Sequence, residues 1–188
     1  NSTSEKTEMK IVIPSYKRYL TPLKTIKNIP RNWYEKTTVY VRTEEYDNYR
    51  SIIPDEIQVT SLIGVTDIKS TRNAIMNLID GDVLMLDDDL DFSELVGKKY
   101  KNSNHESINK MFSEIQTLFQ SGFVHVSVAC PVVGLPSKGR LIHNARYYAV
   151  LGYRLDVLKK LKIRFRTTFM EDFDVGLQLI RRGFPSAI

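Results

Sequence analysis

A short apolar run, Val83-Leu84-Met85-Leu86, ends in three consecutive aspartates, Asp87-Asp88-Asp89, and this junction limits what the chain can fold into. The run is short and follows Gly81-Asp82, so it reads as a buried strand from Asp82 to Leu86 and not as a long helix. Burying three adjacent carboxylates would be very costly. They must therefore emerge at the carboxyl end of the strand, where open α/β sheets place their ligands. Clustered anionic oxygens there suit a hard divalent cation, which in turn would hold a phosphate. The competing reading is an acidic, solvated turn that only closes the strand.

The rest of the chain alternates between strand and helix patterns. Met9 to Pro14 reads as a first strand, and Thr21 to Lys27 as a short helix with Pro22 in its first turn. Thr37 to Arg42 is a β-branched and aromatic second strand. Glu44 to Ile52 reads as a helix closed before Pro54, and Ile57 to Leu62 as a third strand. Asp67 to Ile79 is the clearest helix, with Ile68, Ala74, Ile75, Leu78 and Ile79 on one side. Beyond the aspartates come a helix from Glu106 to Gln120 and a strand from Phe123 to Cys130. This order implies a mainly parallel sheet covered on both faces, an α/β fold in a single domain.

The second half is less regular. Pro131 to Asn144, with Gly134, Pro136 and Gly139, reads as a long loop of the kind that is usually functional. Tyr147 to Tyr153 suits a strand and Leu155 to Leu161 a short helix. A final helix opens at Glu171 or Asp172, carries Phe173, Leu177 and Ile180 at helical spacing, and stops near Gly183. Only five residues follow, so the expectation is a domain over 9–188 that is incomplete at its C-terminal end. Residues 1–8 are polar and expected to form a disordered tail.

With 188 residues and 42% hydrophobic content the chain can build a real core. It has no run apolar and long enough to span a bilayer and no visible signal peptide, so a cytoplasmic location is expected. The single cysteine, Cys130, fits a reducing compartment and reads as a buried structural thiol. Net charge is +5, and Lys159, Lys160, Lys162, Arg164 and Arg166 fall close together. That segment is either a solvated face or a track for a phosphate backbone.

Several polar groups should meet at one edge of such a sheet. Pro14-Ser15-Tyr16-Lys17-Arg18 ends the first strand and is a candidate nucleotide contact, or an ordinary strand-to-helix loop. Arg42-Thr43-Glu44 ends the second, with Thr43 a natural helix N-cap. Lys69 and Arg72 share a helix face, expected to point away from the isoleucines, and would meet phosphate there. Glu171 and Asp172 open the last helix; one would cap it while the other serves as a general base, and Asp174 follows. His125 reads as structural, and His143 as the one attractive histidine. No metal-spaced His/Cys cluster, Gly-rich phosphate loop or GxSxG elbow is present.

The order of four blocks is more specific than any one of them. Ile11-Val12-Ile13-Pro14-Ser15-Tyr16-Lys17-Arg18, Lys69-Ser70-Thr71-Arg72-Asn73-Ala74, Leu86-Asp87-Asp88-Asp89 and Met170-Glu171-Asp172-Phe173-Asp174-Val175 together resemble the GT-A-fold glycosyltransferases of the family-two type. The finer resemblance is to the phage TET-associated glycosyltransferases, relatives of the base J glucosyltransferase that decorate hydroxymethylated pyrimidines in DNA. It rests on Cys130-Pro131-Val132-Val133-Gly134-Leu135-Pro136, on Asn144-Ala145-Arg146-Tyr147-Tyr148 and on the Met170 to Val175 block.

The resemblance implies a nucleotide-sugar donor, by default a UDP-sugar, and Mn²⁺ or Mg²⁺ as cofactor. It implies Asp89 as a metal ligand, with Asp87 on the metal or the donor ribose and Asp88 beside them. Pro14, Ser15, Arg18, Glu44 and Lys69 would line the nucleotide, with Arg72 across the cleft. Asp172, next to Glu171, would take the acceptor proton, and configuration would invert. The acceptor would be a hydroxymethylated pyrimidine of DNA, flipped from the duplex, with Tyr147 and Tyr148 as candidate wedges. Many relatives carry a late histidine that completes the metal site, and no histidine follows Asp172 in residues 173–188. The alternatives are a family-two enzyme acting on a glycan, lipid carrier or protein, and a non-catalytic GT-A binding domain. A nucleotidyltransferase on a similar fold would need a glycine-rich first loop, which Pro14-Ser15-Tyr16 lacks.

Overall fold

The computed structural model describes residues 8–129, 141–145 and 148–188. Cys130, most of the expected 131–144 loop and Tyr147 therefore lie outside the described residues, as do residues 1–7 of the expected tail. Glu8, the last residue of that tail, is placed and accepts from Lys36 Nζ at 3.0 Å.

Four parallel strands form the centre: β1 (Lys10–Pro14), β2 (Thr37–Arg42), β3 (Gln58–Leu62) and β4 (Asp82–Leu86), in the order β3-β2-β1-β4. β8 (Val150–Arg154) adds antiparallel to β4, and β7 (His125–Val126) and β9 (Ser186–Ala187) complete a seven-stranded sheet. The strand order reverses at β1, which has β2 on one side and β4 on the other. A crevice must open at the carboxyl ends of these strands, because successive connections leave in opposite directions.

Both sheet faces are covered, as the unbroken apolar runs require. Ile11, Ile13, Val39, Leu84 and Leu86 pack with Trp33 and with Phe112, Ile115 and Phe119 of α4 (His105–Gln120). The alternate residues Val12, Tyr40, Val83 and Met85 pack against Ile75 and Met76 of α3 (Ile68–Leu78), Leu158 of α5 (Leu155–Lys160) and Val175 and Leu179 of α6 (Glu171–Ile180). The remaining helices, α1 (Lys24–Asn28) and α2 (Tyr46–Arg50), are single short turns. β8 lacks a side chain at Gly152 for a clear reason: a Cβ there would sit 2.8 Å from the Val126 carbonyl oxygen.

Some expectations change. The 123–130 strand pairs only over His125–Val126. The segment 44–52 splits into a 3-10 turn, Thr43–Glu45, and α2; Thr43 does not cap it but donates to the Leu62 carbonyl. A hairpin of β5 (Ser93–Val96) and β6 (Lys99–Asn102) was not anticipated. In α3 the buried residues are Arg72, Ile75 and Met76, while Leu78 is 59% exposed. Arg72 thus lies on the buried side with Ile75, three residues on, and not on the opposite face.

His125 is fully enclosed and stacked on Tyr153, with ring centroids 4.9 Å apart. Burial pushes its pKa from 6.5 down to about 3. Between these values the unfolded chain binds a proton that the folded chain does not, so stability falls as pH drops through this window and is unaffected by this group above it. His125→Phe is expected to flatten the curve of unfolding free energy against pH between about 6 and 3, where one such group contributes at most about 1.4 kcal/mol per pH unit. Urea denaturation across this range checks it; an unchanged slope would reject the assignment.

Candidate active site

The acidic turn is locked from beneath by α1. Thr25 Oγ1 donates to the Asp87 carbonyl at 2.6 Å and accepts from the Leu90 amide at 2.8 Å. Opposite it lies the turn after β1. Ser15 Oγ donates to Asp88 Oδ2 at 2.5 Å and lies 2.8 Å from the Tyr49 hydroxyl, which accepts from the Arg18 amide at 2.9 Å. Arg18 Nη2 reaches Asp89 Oδ2 at 3.0 Å. Lys17 adopts φ 57° in this turn, and Glu45 holds its amide at 3.1 Å. Burial raises the Asp88 carboxyl, opposed by the Ser15 hydrogen bond and the Arg18 charge.

These groups wall a cleft of about 480 Å³ whose lining includes Pro14, Ser15, Tyr16, Arg18, Arg42, Asp67, Asp87, Asp88 and Asp89. The Arg42 guanidinium lies over the Tyr16 ring, 3.7 Å from its centroid, and donates to the Thr66 carbonyl at 2.7 Å. Glu44 and Lys69 do not line this cleft. Glu44 is exposed, and its neighbour Glu45 is the buried one. Tyr49→Phe removes the acceptor for the Arg18 amide, worth about 1 kcal/mol. It is expected to weaken donor binding several-fold, read by titration calorimetry, without unfolding the protein; unchanged binding would separate this turn from the donor.

A second constellation forms where α3 faces α6. Asp67 caps α3 by accepting from the Ser70 amide at 2.7 Å, and Ser70 Oγ accepts in return from the Asp67 amide at 3.0 Å, a reciprocal cap. One turn later Arg72, 4% exposed, donates to Asp87 Oδ1 at 2.9 Å and to Glu171 Oε1. Asn73 clasps the backbone of Phe165, donating to its carbonyl at 2.8 Å and accepting from its amide at 3.1 Å. That clasp fixes the approach to α6. Burial pushes the Asp87 carboxyl up to about 6 against the pull of Arg72, and Asp89, Asp88 and Glu171 add to the push.

α6 begins after Met170, which adopts a left-handed conformation at φ 55°. A non-glycine residue there carries strain that its surroundings must hold in place. Asp172 follows, 9% exposed, with Oδ1 accepting the Phe173 amide at 2.8 Å. Its position in the first turn sets it against the positive end of the helix dipole. Asp174, one turn in, is paired with Arg166, which holds its carboxyl low. Asp172 and Glu171 share a cavity of about 250 Å³ with Arg72, Asp87, Tyr148 and Phe169. Asp87 lines both this cavity and the larger cleft.

Of the expected site residues, Pro14, Ser15, Arg18, Asp87, Asp88 and Asp89 thus meet in one cleft, and Arg72, Glu171 and Asp172 adjoin it. Thr25, Tyr49 and Phe169 had no local signal, since their partners are distant in sequence. His143 lies apart, stacked on Phe123 with its ring 5.7 Å away. Among the described residues no three His, Cys, Asp or Glu side chains gather as a metal centre. A cation that also takes phosphate oxygens needs only one or two carboxylates. Asp87 and Asp89 both stand on the wall of the cleft.

The fold is that of solved GT-A enzymes. TarS from S. aureus in complex with UDP superposes with a TM-score of 0.56 at 16% identity, over 96% of this chain and 57% of that one. The mannosyltransferase PcManGT from Pyrobaculum calidifontis, in complex with GDP-Man and Mn²⁺, gives 0.59 at 13% identity, over 95% of this chain and 53% of that one. A CMP:2-keto-3-deoxy-manno-octonic acid synthetase complexed with CTP gives 0.54 at 11% identity, covering 96% and 88%. The chain therefore spans little over half the length of the first two. These likenesses define the class, a GT-A domain. The chain belongs to the TET-associated glycosyltransferase family, whose sequence model matches residues 9–187. No curated protein sequence matches this chain significantly. Among the described residues no helix is long and apolar enough to cross a membrane.

Proposed function

We propose that the protein moves a sugar from a UDP-sugar to the hydroxyl of a hydroxymethylated pyrimidine in DNA, with inversion at the anomeric carbon. The observation that carries this reading is the shared wall: the cleft of Ser15 and Arg18 and the cavity of Asp172 meet at Asp87. Donor diphosphate at the first and acceptor hydroxyl at the second would bring the reacting atoms together. Asp172 takes the acceptor proton as the hydroxyl oxygen bonds to the anomeric carbon, and the bond from that carbon to the diphosphate oxygen breaks. UDP leaves with the electron pair. Arg72 holds Asp87 and Glu171 in place, and Arg18 lies within reach of the diphosphate.

Asp89 and Asp87 would hold Mn²⁺ or Mg²⁺, which when bound offsets the negative charge developing on the diphosphate. A base in duplex DNA must be flipped out to reach Asp172. Phe169, 78% exposed at the cavity mouth, offers a face on which that base would stack. Binding of UDP by TarS and of GDP-Man with Mn²⁺ by PcManGT supports the donor and cation, and the family description supports a TET-linked DNA acceptor. The phage-infected host cytoplasm is the setting this reading entails.

Nucleoside mass spectrometry tests it. Duplexes with plain, 5-hydroxymethylcytosine or 5-hydroxymethyluracil bases are incubated with the protein, Mn²⁺ and a panel of nucleotide sugars. A sugar mass is expected only on a hydroxymethylated base. No added mass in any pairing, with UDP still bound, would redirect the reading to a glycan, lipid or protein acceptor or to a non-catalytic domain.

A further inference from the structure

The hairpin of β5 and β6 has no part in the core. It forms its own two-stranded sheet, and of its paired residues only Leu95 is partly buried. An isolated hairpin of this kind is marginal in water. Here the Ser103 amide ties its base to the Phe92 carbonyl at 2.9 Å, and Ser107 Oγ donates to Glu94 at 3.0 Å. Its loop is two residues, Gly97-Lys98, between the paired Val96 and Lys99. Gly97 has φ 65° and Lys98 does not have positive φ, the pattern of a tight turn with glycine first.

The composition of the ribbon is one-sided. Lys98, Lys99 and Lys101 are exposed, with Glu94 as the only acid between Ser93 and Asn102. Among the described residues none of the three lysines is ion-paired. In the other basic segment Lys159 is taken up by Asp80 at 2.6 Å and Arg166 by Asp174, while Lys160 and Lys162 are exposed with no ion pair among the described residues. Unpaired positive charge therefore lies on both segments, and position decides between them.

Position adds to composition. Ser93 is four residues beyond Asp89, within about 14 Å along an extended chain. Ser93, Glu94 and Ser103 line a groove of about 400 Å³ together with Tyr148 and Ala149. Tyr148 and Ala149 also wall the cavity that holds Asp172. The groove at the base of the ribbon and the cavity of Asp172 are thus neighbours that share two wall residues.

We infer that this hairpin is the DNA-docking element, its lysines gripping backbone phosphates that flank the target nucleotide. The inference rests on the DNA-acceptor reading above and assigns it a surface. A two-stranded ribbon fits the major groove in width, and phosphate contacts from lysine set register without reading sequence. Grip at the ribbon and chemistry at Asp172 are separate, so one can be weakened without the other.

The test compares wild type with Lys98→Gln/Lys99→Gln/Lys101→Gln by fluorescence anisotropy on a 5-hydroxymethylcytosine duplex over a range of salt, with UDP binding as a control for folding. The triple variant is expected to bind UDP normally and to lose up to about 3 from the slope of log affinity against log salt, near 0.9 for each phosphate contact removed. Wild type and variant with the same affinity and slope would overturn the hairpin assignment and leave the DNA acceptor standing. A wild type that binds UDP but no duplex would overturn both. Binding to heparin and not to DNA would give the ribbon to an anionic polysaccharide and likewise overturn it.

Discussion

Asp172→Asn is expected to stop transfer while leaving the fold and the donor site intact. The substitution keeps size and keeps a carbonyl oxygen for the Phe173 amide, now 2.8 Å from Asp172 Oδ1, so the start of α6 should survive. What is lost is the ability to take a proton. A positioned general base is worth roughly 10² to 10⁴ in rate, so kcat should fall by that factor with little change in UDP affinity. Asp172 does not line the Ser15–Arg18 cleft, and that is why the two readouts should separate. Single-turnover rates on a hydroxymethylated duplex, together with calorimetric UDP binding, decide it. A variant that keeps a tenth or more of the rate would remove Asp172 from the proton transfer and turn attention to Glu171.

Arg72→Leu should have the largest effect on stability. Arg72 is 4% exposed and stands between Asp87 and Glu171. Without it, two part-buried carboxylates face each other with no cation between them. Removing one partner of a fully buried ion pair costs about 3–5 kcal/mol, and with the Asp87 side chain 39% exposed the loss here should lie at the low end of that range. The Asp87 carboxyl, already raised to about 6 with Arg72 pulling it down, would rise further. Protonation would relieve some of the cost, and the loss should therefore be smaller at low pH. Adding Glu171→Gln removes one of the opposed charges, so the double variant should regain part of the stability and none of the activity. Urea unfolding of the three proteins measures this. A single-variant loss under about 1 kcal/mol would mean that solvent already compensates the pair.

The parallel sheet and the emergence of Asp87 were legible because both follow from short-range pattern. An apolar run of strand length cannot swallow the aspartates that end it, and β4 stops at Leu86 as that logic requires. The error at Arg72 has the opposite origin. Periodicity assigns an arginine to the wet face, yet its partners lie 15 and 99 residues away. Only the folded chain brings them beside it. Glu44 and Glu45 show a subtler limit, since a 3-10 turn decides which of two adjacent carboxylates points inward. The hairpin escaped notice because a two-residue Gly-Lys loop joins four-residue strands in which only Leu95 and Val96 are aliphatic. His143 looked promising from its place in a loop, and the fold stacks it on Phe123.

Asp87 belongs to two cavities at once, and that sets how such a protein can diversify. On the proposed reading, a change at this residue would disturb what both substrates meet. The surfaces on either side are not so tied. Tyr16 and Arg42 border only the cleft, and Phe169 and Tyr148 border the Asp172 cavity but not the cleft. On the proposed reading, one flank could be rebuilt for another substrate while the other flank is left unaltered, with a single carboxylate as the hinge of that modularity.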